Sequence, residues 1–145
     1  MYNTIVVGTN GTQTARSAVL RAARLASLCD ARLLIVAAYK DGGGAMMQAM
    51  ASQVAPMPPT DTKGQTETML KDLAKDLSRD GLHLETFAFP GSAVQALLEI
   101  AEAEHADLIV VGNKGMSGAR RYLGSVPSNV AHQAPCSVLI VNTTA

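Results

Sequence analysis

Tryptophan is absent from this chain and aromatic residues are scarce, two phenylalanines and three tyrosines in 145 residues, so few flat surfaces exist on which unpaired bases could stack. Twelve basic residues meet twelve acidic ones. A chain without net charge carries no electrostatic footprint for nucleic acid or anionic lipid. No apolar run nears the roughly 20 residues that a membrane span needs. The opening Met1-Tyr2-Asn3-Thr4 shows neither a basic segment nor a long apolar one. We therefore expect a soluble, cytoplasmic protein with no nucleic-acid and no membrane partner. The two cysteines, Cys29 and Cys136, lack C-x-x-C and zinc-finger spacing, and they read as small core residues in a reducing compartment.

Signatures of common chemistries are missing as well. No G-x-x-x-x-G-K-[ST] occurs and no G-x-G-x-x-G follows a strand, which argues against a Walker-type NTPase and a dinucleotide fingerprint. Gly115-Met116-Ser117-Gly118 approaches a nucleophile elbow, but Ala119 stands where that motif needs glycine. His83, His105 and His132 are scattered, with no H-E-x-x-H and no acidic partner at ligand spacing. They read as surface or helix-end residues, and no metal site is expected. With no carboxylate pair and no nucleophile–base set, binding is better supported than catalysis, a weak ATPase activity being the most that is expected.

What is present is an alternation of buried strands and amphipathic helices over a length that suits one domain. Thr4 to Val7, Leu33 to Ala38, Asp107 to Val111 and Ser137 to Val141 are short apolar runs of the kind that fill a parallel sheet covered on both faces. Leu82 to Phe89 alternates at its start and suits a strand exposed on one side. Between them, Ala18, Val19, Ala22, Leu25, Ala26 and Cys29 repeat at helical spacing behind a cap at Thr12 or Thr14, and Met69, Leu70, Leu73, Ala74 and Leu77 do so behind a capping box at Thr62 and Gln65. Ser92 with Gln95 makes a second box, opening a helix to about His105 that buries Leu97, Ile100 and Ala101. Val126 to Gln133 forms a fourth helix with Pro127 in its first turn. Lys40 to Thr60, rich in glycine, methionine and proline, reads as a mobile loop. Strands alternating with helices predict an α/β fold, a five-stranded parallel sheet with helices on both faces.

One stretch gathers the chemistry. After the apolar run to Val111 come Gly112, Gly115, Gly118 and Gly124, then Ser125 at the start of the fourth helix. Glycines let peptide N–H groups approach an oxyanion, and a helix start presents unpaired N–H groups, so this outlines a phosphate cradle. Lys114, Arg120 and Arg121 add positive charge to the same loop without a nearby carboxylate.

The loop resembles the nucleotide-binding signature of the universal stress protein family, G-x2-G-x9-G-[ST], on Gly112, Gly115, Gly124 and Ser125. Eight residues rather than nine separate Gly115 from Gly124, and Gly118 can absorb the difference. The opening T-I-V-V-G-T-N-G-T and the closing G-S-V-P-S-N-V-A-H-Q-A-P-C-S-V-L-I-V are also similar to this family, so the resemblance spans residues 1–145 as one domain. It implies the strand order 3-2-1-4-5 and a Rossmann-like crevice where that order reverses, between strands 1 and 4. It further implies an adenine nucleotide, ATP first (with or without magnesium) and cyclic AMP as the alternative. The implied contacts are Gly8, Thr9, Asn10, Ala37 and Ala38 on the sugar and base side, with Gly112, Asn113, Lys114, Gly115, Arg120, Gly124, Ser125 and Val126 toward the ribose and phosphates. Family members often carry Asp-Gly-Ser after strand 1; here Asn10-Gly11-Thr12 replaces a carboxylate with an amide. A homodimer through the last strand, Ser137 to Thr143, is implied too, with Val138 and Ile140 at a shared apolar contact. The competing reading is a ligand-free dimeric interaction protein of the same fold.

Overall fold

The structure, a computed structural model, describes residues 1–40, 62–78, 81–113 and 125–143. Within them the chain runs β1 (Thr4–Gly8), α1 (Gln13–Cys29), β2 (Arg32–Tyr39), α2 (Lys63–Leu77), β3 (His83–Pro90), α3 (Ala93–Ala103), β4 (Leu108–Gly112), α4 (Val126–Gln133) and β5 (Ser137–Val141). The strands form one parallel sheet in the order β3-β2-β1-β4-β5. The register sets Val7 beside Ile35 on one flank and beside Val110 on the other. The order reverses between β1 and β4, as the resemblance implies.

Alternation along each central strand feeds two cores. Ile5, Val7, Leu33, Ile35, Leu108 and Val110 pack with Ala18, Val19, Ala22 and Ala26 of α1 and with Leu70, Leu73 and Leu77 of α2. On the opposite face Val6, Leu34, Val36, Ile109 and Val111 pack with Ala96, Leu97 and Ala101 of α3 and Val130 of α4. Cys29 and Cys136 are free, half-buried thiols on opposite faces of the sheet, so no bridge between them is possible.

Local chemistry explains the ends of the elements. Thr12, of the two cap choices, accepts the N–H of Ala15, and α1 begins directly after it at Gln13. Thr62 and Gln65 close a full capping box on α2. At α3 only half of the expected box forms: Ser92 accepts the Gln95 N–H, but the Gln95 amide turns to Glu99. Pro90 ends β3 without penalty because β3 is an edge strand, where a missing N–H breaks no ladder. Asp107 precedes β4, and its carboxylate accepts the backbone N–H groups of Asn3 and Thr4, tying the start of β1 to its neighbour. The expected mobile loop falls on residues of which 41–60 lie outside the described ones.

Candidate functional site

The carboxyl ends of β1 and β4 lie side by side, and a cleft of about 330 Å³ opens there. Gly8, Thr9 and Asn10 form one wall, continued by Thr12, Thr14 and Ala15 at the start of α1. Val36 and Ala38 of β2 with Ala93, Ala96 and Leu97 of α3 form the apolar side, and Val111, Gly112, Val126, Pro127 and Thr143 close it. This is the topological switch point, where open α/β sheets bind ligands.

Three helix N-termini, those of α1, α3 and α4, reach this cleft, and none carries an acidic residue in its first turn. Each brings the positive end of a helix dipole and first-turn N–H groups. Among the described residues the lining holds no charged side chain, and the helix ends are its source of positive potential there. A larger depression of about 600 Å³ lies between α1 and α2, but Arg16, Asp72 and Asp76 line it, and the Arg16–Asp76 ion pair (3.6 Å) crosses it. Carboxylates on that surface oppose an anionic ligand, so the smaller cleft is the candidate.

The loop after β1 is held by its own side chains. Asn10 Oδ1 accepts the Thr12 N–H at 3.1 Å and the Thr12 hydroxyl at 2.7 Å. A backbone N–H can only donate, so the oxygen of Asn10 must face it and the amide nitrogen is the group left to offer. Thr9 Oγ1 accepts the Gly11 N–H at 3.2 Å, and Gly11 takes a left-handed φ of 83°. Gly8 is tight for another reason: a Cβ there would stand 3.2 Å from Leu97 Cδ2, so only a bare backbone lets β1 meet α3 this closely. Ser125 caps α4 through the Ser128 N–H, and Pro127 supplies no N–H, which leaves Val126 as the first-turn donor.

The residues expected from sequence therefore divide. Gly8, Thr9, Asn10, Ala38, Gly112 and Val126 line the cleft. Ala37 does not: it points into the core shared with α1 and α2, because successive strand residues face opposite sides and the cleft belongs to the parity of Val36 and Ala38. Asn113 stands beside the cleft with its side chain turned to the tail after β5, and Ser125 stands at the cap of α4. Lys114, Gly115, Arg120 and Gly124 lie outside the described residues. The sequence reading did not assign Thr12, Thr14, Ala15, Val36, Ala93, Ala96, Leu97, Val111 or Pro127 to the site, and the available signal was the capped helix starts at Thr12 and Ser92 and the neighbours of residues it did name. It also missed Thr143, for which the sequence offers none.

On β5 the expected contact residues Val138 and Ile140 are half-buried against the α3 and α4 core, whereas Leu139, 42% exposed, is the apolar side chain that faces outward.

Comparison with known proteins bears on this site. The sequence model of the universal stress protein family matches residues 1–142. Universal stress protein Rv1636 of Mycobacterium tuberculosis is 39% identical over 150 residues, covering 99% of this chain and 98% of that protein. A universal stress protein of Thermus aquaticus is 30% identical, covering 97% of this chain and 99% of that one. Among solved structures, a universal stress protein in complex with cAMP is 36% identical, covers 99% of this chain and 98% of its own, and superposes with a TM-score of 0.72.

Proposed function

The chain belongs to the universal stress protein family, and from that premise we propose that the cleft between β1 and β4 binds an adenine nucleotide, cyclic AMP ahead of ATP. The observation that carries the proposal is the convergence of three helix N-termini, free of acidic first-turn residues, on one cleft at the switch point. A phosphate finds N–H donors there, while Val36, Ala38 and Leu97 offer an apolar slot for a base. A volume of about 330 Å³ falls within the roughly 300–1,000 Å³ of small-molecule sites. The ranking of cyclic AMP first rests on the complex of a 36% identical protein with cAMP.

ATP is the second reading, favoured by Gly112, Gly115 and Gly124-Ser125 in the spacing of a phosphate loop. No carboxylate lines the described cleft, so magnesium would arrive on the triphosphate rather than on the protein. For the same reason we take the role to be ligand-dependent regulation, the nucleotide being bound rather than turned over: no described lining residue is a carboxylate or histidine able to activate water. A homodimer along β5 belongs to this reading, since among the described residues β5 pairs only with β4 and Leu139 is exposed on its outer face.

Calorimetric titration of the whole chain with cyclic AMP and with ATP, each with and without magnesium, tests the proposal. Binding of cyclic AMP without metal, and more tightly than ATP, is the expected result. Tighter magnesium-dependent ATP binding would move the assignment to the second reading, and no binding of either at millimolar ligand would remove both.

A further inference from the structure

Thr143 reaches the cleft from 30 residues beyond the strand end it touches, and Asn113 holds it there. Asn113 Oδ1 accepts both the Thr143 N–H at 2.9 Å and the Thr143 hydroxyl at 3.0 Å. Its Nδ2 donates to Asn142 Oδ1 at 3.2 Å, and its backbone N–H donates to Val141 O at 2.9 Å. One residue just past β4 thus clasps the last residue of β5 through its backbone and the two residues after it through its side chain. The clasp is close-fitting, since a Cβ on Gly112 would stand 3.1 Å from the Thr143 methyl.

The polarity of this clasp is fixed by chemistry. The Thr143 backbone N–H can only donate, so the Asn113 atom it meets is the carbonyl oxygen. That oxygen only accepts, so the Thr143 hydroxyl directs its proton to it as well. What Thr143 Oγ1 retains is lone pairs, in a residue that lines the cleft beside Gly112. A phosphate oxygen also carries only lone pairs and is repelled by such a group, whereas a sugar hydroxyl can donate to it.

We infer that Thr143 is a specificity-determining residue that accepts a hydrogen bond from the ribose 2′-hydroxyl of the bound nucleotide, and that Asn113 is a positioning residue acting through it. This rests on the nucleotide reading of the cleft. In cyclic AMP the 3′ and 5′ oxygens are esterified and the ring oxygen is an ether, so the 2′-hydroxyl is the sole sugar donor. The contact distinguishes ribo- from deoxyribonucleotides and orients the sugar edge away from the phosphate donors of the helix ends.

The test is calorimetric titration of the wild type, Thr143→Val, Thr143→Ser and Asn113→Ala with cyclic AMP and 2′-deoxy-cyclic AMP, circular dichroism reporting the fold of each. The wild type is expected to prefer the ribonucleotide by about tenfold, the worth of one buried neutral hydrogen bond. Valine, which keeps the methyl contact, and Asn113→Ala should lose that preference by weakening cyclic AMP alone. Serine should keep it. Wild type that binds both ligands equally, or Thr143→Val that weakens both equally or neither, overturns the assignment of Thr143 while leaving the nucleotide reading intact. Asn113→Ala with full discrimination overturns the positioning role. Wild type that binds neither ligand overturns the cyclic AMP reading and this inference with it.

Discussion

Removing the Asp107 carboxylate should loosen the two central strands where they begin. Oδ2 accepts the Asn3 N–H at 2.8 Å, Oδ1 accepts the Thr4 N–H at 3.1 Å, and the Asp107 N–H donates to Thr4 O at 3.0 Å. Hydrogen bonds to an ionised group contribute roughly 1.5–3 kcal/mol each. Asn3 is exposed, so water replaces its partner, and most of the loss falls at half-buried Thr4. Asp107→Ala is therefore expected to cost about 2 kcal/mol of unfolding free energy. Asp107→Asn should not restore it fully, because an amide keeps one oxygen and turns an NH2 against the second N–H, donor facing donor.

The same substitution has a chemical readout. Burial pushes the Cys136 thiol above its ordinary range, and the Asp107 charge pushes it further. In Asp107→Asn the effect of burial persists and that of charge disappears, so the pH midpoint of iodoacetamide alkylation should move down without reaching that of a free thiol. A thiol that holds its proton to higher pH when folded contributes stability that is fully present below about pH 8.5 and is lost as pH rises through the folded value. That alkaline loss should shrink in Asp107→Asn. Urea unfolding followed by circular dichroism gives the first quantity, and alkylation rates against pH give the second. Free energies within about 0.5 kcal/mol of wild type for both variants, with an unchanged alkylation profile, would refute the reasoning.

Three further outcomes are expected. Gly8→Val places branches where a Cβ alone stands 3.2 and 3.3 Å from the Leu97 methyls, so a thermal melt should show a loss of about 1–3 kcal/mol and titration a weaker nucleotide site; an unchanged melt would show that α3 yields freely. Asn10→Asp retains an acceptor for the Thr12 N–H and hydroxyl, so the far-ultraviolet spectrum should stay native while metal-free cyclic AMP binding weakens several-fold and magnesium gains importance for ATP. An equal magnesium effect in both proteins would place Asn10 away from the phosphates. Leu139→Glu sets a charge on the outer face of the edge strand and should yield a monomer by light scattering at micromolar concentration; a variant as dimeric as wild type would exclude β5 as the interface.

Much of the fold was legible because buried parallel strands announce themselves. The runs at 4–7, 33–38 and 137–141 needed no partner to be recognised, and Thr62-Lys63-Gly64-Gln65 marked a helix start that formed as its spacing suggests. The strand order was not in the residues themselves, since no local pattern says which strand lies beside which; the family resemblance supplied it. Ala37 shows the limit at the site. Its neighbours Val36 and Ala38 reach the cleft and it does not, and the parity is decided by which helices cover the switch point. Ser92 and Gln95 close only half of their box: Ser92 accepts the Gln95 N–H, and the Gln95 side chain donates to Glu99, one turn on.

Which hydroxyls of the cleft accept and which donate was invisible for a deeper reason, which is that a threonine's role depends on where its proton goes. Thr12 gives its proton to Asn10 Oδ1, and its oxygen takes the Ala15 N–H, so Thr14 must donate to it across 3.2 Å. Thr14 and Thr143 are then both left as acceptors. Thr9 and Ser125 are the opposite case: each accepts a backbone N–H, from Gly11 and from Ser128, and retains its own proton. Two asparagine oxygens thus sort a set of chemically alike side chains into acceptors and donors. A ligand matching this arrangement would donate at Thr143 and accept at Thr9, both of which line the cleft, as a sugar hydroxyl and a phosphate can. Exchanging either asparagine for alanine should therefore scramble that sorting without altering one hydroxyl in the sequence.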